Sequence, residues 1–494
     1  MRAHSKPRYA PGRARQLGQA FLLVVLLLVV GIGALIFNLA RPGKVDIERG
    51  RITANALEQA KTALIGFAAG VDLFDITSAA RPGDLPCPDR DDNGTVDVGI
   101  DTPCAGGALG RLPWKSLGLP DLRDGDGERL WYAVSSNFKN SPRTACGTPG
   151  LATCLNSDAR GTITVRNTAG TVINDGSNPD AFTPSGVIAV IFAPGAVLRR
   201  QGAASAQDRS CTGGSCTGAG VCTSAPLTLT PKCNPINYLD VLAGVEDNAD
   251  FTDGSNTNGF INGVIRDAGG NAIVNDRLMV ITYQDLMPVL QRRVAKEVLN
   301  CLNAYASVPQ NNSRYPWAAP ITDVTPPYDD AINTRFGRVP DGPFGATLLG
   351  LGGSVTNLIC SLTPLLCMDI NWPASCSWTV NPSWWTNWQE MVFYGVAQAY
   401  QPADSLLGVP APGGCGSCLT VDPPSSSADK RVVVVVAGKR LSAVAGGQPR
   451  SGANKSDPSN YVEGNNVPPS PYTSQNNYTQ LPTASTFNDF LLYQ

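Results

Sequence analysis

Histidine is almost missing from this chain: among 494 residues there is one, His4. A Ser-His-Asp or Cys-His catalytic set therefore cannot be assembled from the rest of the sequence, and neither can a histidine-ligated catalytic metal. Charge is also scarce, with Asp, Glu, Lys and Arg making up 16% of the residues. Of a net charge of −2, the first 18 residues contribute five positive charges (Arg2, Lys6, Arg8, Arg13, Arg15) and no negative one, which leaves −7 for the remainder. An acidic body argues against a nucleic-acid partner. No Walker-type glycine loop is present. The acids are dispersed through loop-like stretches, and no carboxylate pair of the glycosidase kind stands out. The chain reads as non-enzymatic.

What is abundant is Gly (51), Pro (39) and Cys (14). All the cysteines lie beyond an unbroken apolar run over residues 20–37, AFLLVVLLLVVGIGALIF. About 20 such residues cover a bilayer's hydrocarbon as a helix. The basic leader in front of it predicts a cytoplasmic N-terminus and an exported remainder, hence a single-pass inner-membrane protein with its ectodomain periplasmic or displayed in a filament. A cleaved secretory signal fits less well, because Asn38-Leu39-Ala40-Arg41 is a poor cleavage site. A plain signal anchor fits.

In an exported chain, an even number of cysteines reads as disulfides. Spacing groups Cys87 with Cys104, Cys146 with Cys154, Cys211 with Cys216, Cys222 with Cys233, Cys360 with Cys367 and Cys415 with Cys418, leaving Cys301 and Cys376; the connectivity stays open.

Apolar periodicity predicts a helix from residue 44 to about residue 70. Beyond it, short alternating or apolar runs predict strands over the last few residues of 124–134 and at 162–166, 171–173, 186–192, 278–281 and 432–436. A helix with Thr282 as N-cap and Asp285 three residues on follows the 278–281 strand. Another helix is expected over 384–400, and a surface-extended Ser/Asn/Pro-rich tail over 445–485. The fold class expected is α+β, a long N-terminal transmembrane helix followed by an antiparallel β-sheet ectodomain with large disulfide-stapled insertions. The divisions are 1–18 (leader), 19–70 (helix), 71–310 (α+β ectodomain with a Cys-rich insertion) and 311–494 (C-terminal extension). No internal sequence repeat stands out.

One stretch has ligand spacing. Asp89, Asp91, Asn93 and Asp97, with Gly94 between, follow D-x-D-x-N-G-x-x-D, the offsets at which hard oxygens wrap Ca²⁺. The glutamate such loops carry at offset twelve is replaced by Ile100. A self-capped Asx turn accounts for the same residues, so Ca²⁺ is a candidate cofactor and not an assignment. Trp378, Trp384, Trp385 and Trp388 invite a sugar-stacking reading, but amphipathic core residues explain them more simply.

The leader, Gly18, the apolar run and the continuing helix together resemble a type IV prepilin or a type II secretion pseudopilin. So do the segments AKTALIGFAA, RPGDLPCPD, GRLPWKSLGLPD and GERLWYAVS, which resemble pseudopilin-like proteins of Gram-negative bacteria; DKRVVVVVAGKRL, NYVEGNN and FNDFLLY resemble the ends of long members. The resemblance implies cleavage by a prepilin peptidase between Gly18 and Gln19. It also implies assembly with other pilins or pseudopilins through the N-terminal helix, beside inner-membrane lipid. Two positions depart from the family: Gln19 stands where Phe is usual, and Leu23 where the fifth mature residue is usually Glu. The second departure is shared with tip-type members, so the function implied is a minor pilin or pseudopilin at or near a filament tip. The alternative is a membrane-anchored binding or adhesin-like protein outside any filament.

Overall fold

The structure is a computed structural model. It describes residues 24–30, 32, 42–75, 79–96, 98, 102–104, 109–146, 154–177, 186–210, 232, 234–254, 258–341, 372–402, 412–416, 418–441 and 447–494. Gly18, Gln19, Leu23, Asp97, Cys211, Cys216, Cys222, Cys233, Cys360 and Cys367 lie outside the described residues.

Two long helices run through the middle of the molecule. Helix α1 (Pro42–Ala69) buries Ala56, Leu57, Ala60, Leu64 and Ala68, a stripe at helical spacing. It ends where the Gly70 N–H bonds the Gly66 carbonyl at 2.8 Å. Against it lies a four-stranded antiparallel sheet of β1 (Leu109–Arg111), β2 (Trp131–Val134), β3 (Ala189–Ala193) and β4 (Arg277–Ile281), in that spatial order. The strand alternation sends Tyr132, Val134 and Ile191 towards the helices. Trp131, Ala133, Val190 and Phe192 go to a second core, formed with Ile163, Val165, Tyr238 and Phe260 of the long connections. Both faces are covered, which is why β3 reads as a continuous apolar run.

Helix α2 (Tyr283–Ser307) follows β4 directly. Thr282 and Asp285 form the expected capping box. The Asp285 carboxylate also takes Lys61 of α1 at 2.8 Å, tying the two helices at this end. Beyond α2 comes a second four-stranded antiparallel sheet of β5 (Phe336–Arg338), β6 (Val392–Val396), β7 (Val432–Val436) and β8 (Phe490–Tyr493), again in sequence order. Helix α1 lies on β3 and β4, α2 lies on β7 and β8, and the helices touch each other. The chain thus builds one arrangement twice: a long helix, then four antiparallel strands in sequential order. No sequence repeat announced it, because β-branched and apolar residues of many kinds satisfy the same pattern.

Several expectations need correction. The sheet is not single and not wholly antiparallel. Two four-stranded and four smaller sheets are present among the described residues, and Val165–Arg166 pairs in parallel with Phe260–Ile261. The described residues do not show the long transmembrane helix. No helix among the described residues is long and apolar enough to cross a membrane. Within the apolar run, the described residues 24–30 and 32 are helical. The long helix, α1, carries Lys44, Asp46, Glu48, Arg49, Arg51, Glu58 and Lys61, charges that a bilayer core excludes. The single-pass inner-membrane placement, with its cytoplasmic N-terminus and periplasmic ectodomain, rested on that helix and is corrected with it.

Two smaller corrections concern the C-terminal half. The helix expected over 384–400 is helix α3 (Pro382–Trp388) followed by strand β6, whose Val, Phe and Tyr favour the extended form. The tail expected on the surface is partly core: Arg450, Tyr461, Val462 and Asn466 are buried. The four tryptophans of 378–388 are buried as well, with Trp378 stacked on Trp385 at 4.9 Å, so their faces are taken by one another and not offered to a sugar.

Candidate functional site

The Asp89 loop is the stretch with ligand spacing, and the structure gives its geometry. It hangs from the edge of sheet one, where Asp89 and Arg111 exchange backbone hydrogen bonds of 2.9 and 2.7 Å. Asp89 accepts the Asp92 N–H at 2.7 Å on one carboxylate oxygen and the Gly94 N–H at 2.6 Å on the other. Asp91 accepts the Asn93 N–H at 3.2 Å, and Asn93 accepts the Thr95 N–H at 2.6 Å. Each side chain at alternate positions caps an amide a few residues on, the local bonding that makes Asp and Asn turn formers. Gly94 has φ +90°, and a Cβ there would lie 2.6 Å from Trp114 Nε1, so the turn needs glycine on both counts.

Asp92, the acid that the ligand spacing skipped, is the electrostatic centre. It lies in the left-handed region at φ +62° and its side chain is almost wholly buried. Arg129 reaches it at 2.9 Å, Lys232 at 3.1 Å and Arg111 at 3.8 Å. Burial alone would raise its pKa, but these three cations outweigh that and hold it below the usual carboxylate range. Arg111 also lies over two adjoining aromatic rings, 4.3 Å from Trp131 and 4.0 Å from Tyr238. The sequence offered no signal for Asp92, because its partners come from 19, 37 and 140 residues downstream.

Two further acidic stretches, 124–128 and 246–253, are spent on structure. Asp124 accepts the Asp126, Glu128 and Gly195 N–H groups, each at 2.8–2.9 Å. That loop seats on α1, where Thr53 Oγ accepts the Gly125 N–H at 2.9 Å. Glu246 pairs with Arg166 at 3.1 Å, Asp247 with Arg200, and Asp253 accepts the Ser136 N–H at 2.8 Å. Among the described residues, no group of three or more His, Cys, Asp or Glu side chains is placed to hold a metal ion.

Three expected cysteine pairs stand at disulfide geometry: Cys87–Cys104, Cys146–Cys154 and Cys415–Cys418. The first closes the segment that contains the Asp89 loop, so the loop is held by a covalent link, by the edge of β1 and by the Asp92 cations. This arrangement immobilises the loop against the edge of β1.

On α1 itself, Val45, Ile47 and Ile52 are exposed, Ile47 to 74%. They lie on the half of the helix before its buried stripe begins. No protein-family model, curated protein or solved structure matches this chain.

Proposed function

We propose that this chain is a non-enzymatic assembly subunit of the type IV pilin or type II pseudopilin kind, a minor component placed at or near a filament tip. The observation that carries the reading is the exposed first half of α1, which presents apolar side chains around the helix. Val45, Ile47 and Ile52 continue a helix whose other half is seated on a four-stranded antiparallel sheet. A helix half embedded in a head and half offering apolar side chains suits lateral packing against a neighbour's helix. The doubled helix-and-sheet arrangement supports a scarce position, since a head twice as large crowds repeated side-by-side packing. The residues quoted for the family resemblance fall on these elements: AKTALIGFAA is the end of α1 and GERLWYAVS contains β2.

A photo-crosslinking amino acid in place of Ile47, tested in cells that assemble the filament, checks this. The expected product is an adduct with another pilin-like subunit, found in the sheared filament fraction and absent when the crosslinker replaces Ile332, an exposed residue outside α1. No adduct from position 47, with filament number unchanged on deletion of the chain, removes the reading.

A further inference from the structure

Cys301 and Cys376 are the two thiols among the described residues that stand outside a disulfide, and both are buried. Cys301 lies near the C-terminal end of α2. Cys376 caps the N-terminus of the short helix Ser377–Val380 that opens the Trp-rich segment. The two are 75 positions apart in the sequence, yet their side chains meet. The Cys376 thiol is within hydrogen-bonding reach of the Cys301 sulfur, which also accepts the Ser377 N–H. One helical turn earlier, Glu297 accepts the Ser377 hydroxyl at 3.4 Å, so residues 376–377 are held on this face of α2 by a second contact. Tyr305 and Trp372 extend the contact, with ring centroids 5.5 Å apart.

The structure assigns these two residues to a further disulfide, Cys301–Cys376, which fastens α2 to the Trp-rich segment. The surroundings exclude the other uses of a thiol pair. Both lie in the apolar core, where a thiolate is disfavoured, so neither nucleophilic nor metal-thiolate chemistry is supported. Three cysteine pairs elsewhere are already at bonding geometry, so the chain meets an oxidant during folding. That oxidant is a disulfide-bearing exchange partner. The two S–H bonds break, one S–S bond forms, and the two protons and two electrons leave with the partner, released as two thiols. The exchange takes place before α2 and the Trp-rich segment close over the pair. The link joins segments distant in sequence, so it restricts the unfolded chain more than the three local links do.

Cysteine arithmetic makes the test decisive. A tryptic digest leaves Cys301 as the only cysteine of peptide 297–314, while peptide 339–430 carries five: Cys360, Cys367, Cys376, Cys415 and Cys418. The full-length protein is denatured in iodoacetamide without reductant and digested. Asp-N cleavage before Asp369 then separates Cys376 from Cys360 and Cys367. The expected result is peptide 297–314 joined to the Cys376 fragment, with a mass two hydrogens below the sum of the thiol forms. The Cys301→Ser, Cys376→Ser protein should lose the joined species and melt about 5 °C lower. Recovery of carbamidomethylated Cys301 and Cys376 from unreduced protein overturns the assignment, as does Cys301 joined to any other fragment.

Discussion

The backbone N–H of Asp240 donates to Oδ2 of Asp276 at 2.7 Å, and this contact brings two carboxyl side chains together inside the protein. Asp276 also accepts the Asn248 side-chain N–H at 2.9 Å on the same oxygen, while its Oδ1 is buried with no hydrogen-bond partner. Asp240 accepts Gln207 Nε2 at 3.0 Å and the Asn275 N–H at 2.7 Å, with Arg209 and Arg200 as the nearby cations. Burial dominates and pushes Asp240 up to about 6; Asp276 is pushed further, by burial and then by Asp240. The C-terminal half repeats the pattern. Asp489 accepts the Glu463 N–H at 2.8 Å, has a buried Oδ1 without a donor, and is raised by burial and by Glu463.

These acids give stability an unusual pH dependence. A carboxyl group raised in the folded state keeps a proton that the unfolded chain releases near pH 4, so its contribution is full below about pH 4 and falls as pH rises towards about 6. Asp341, also pushed up to about 6 by burial, acts in the same direction. Asp92 and Asp285 are lowered and act oppositely, losing their contribution as pH falls below about 4. The melting midpoint is therefore expected to peak at about pH 4–5 and to fall towards pH 7. Asp276→Asn should flatten the fall on the alkaline side. A midpoint rising steadily from pH 5 to pH 8 contradicts this.

Arg450 and Asp158 form an ion pair at 3.0 Å with side-chain exposures of 0% and 1%. The pair joins the C-terminal segment to the connection between β2 and β3, and Arg450 also donates to the Gly438 and Asn460 carbonyls. Asp158→Ala leaves the guanidinium buried without its counter-charge and is expected to cost about 3–5 kcal/mol. Replacing both residues, Asp158→Leu with Arg450→Met, should recover most of that loss. Urea titration monitored by tryptophan fluorescence reads both; equal losses in the single and double variants would refute the charge explanation.

Gly125 lets the β1–β2 connection reach α1. A Cβ at this position would lie 2.3 Å from the Arg49 carbonyl oxygen and 2.5 Å from its Cα, both backbone atoms. Gly125→Ala must push the loop off the helix, breaking the Thr53 hydrogen bond and the Arg49–Asp126 pair. The expected cost is about 1–3 kcal/mol, with new proteolytic nicking near residue 125. Wild-type resistance to limited proteolysis in this variant would show that the contact matters little.

The Asp89 loop offers a Ca²⁺ test. Asp89, Asp91 and Asn93 alternate with Asp92, whose charge is turned to Arg129, Lys232 and Arg111. An ion held by the alternate oxygens would bind the folded state alone, so it would raise the melting midpoint in millimolar Ca²⁺ and lose that effect in Asp91→Ala. Equal midpoints in Ca²⁺ and in chelator leave the loop a self-capped turn.

Local patterns in the sequence were sufficient for α1, β2, β3, β4, β7 and the Thr282–Asp285 cap, because periodicity and capping depend on neighbours within a few residues. They were sufficient also for the turn at Gly94 and for three close cysteine pairs. They failed at 384–400, where helix α3 passes into β6 with no breaker between, and in the tail, where Arg450 is drawn into the core by an acid 292 residues away. The apolar run over 20–37 invited a membrane-spanning helix, but composition reports only compatibility with lipid, and no helix among the described residues is long and apolar enough to cross a membrane. What the sequence determined by itself was each element's local form. The partners were decided by tertiary structure alone: the three cations on Asp92, the Asp240–Asp276 pair, the meeting of Cys301 and Cys376, and the second helix-and-sheet arrangement. Each depends on chain segments far apart in sequence closing on one another, and no local pattern encodes which distant charge, thiol or strand will be there.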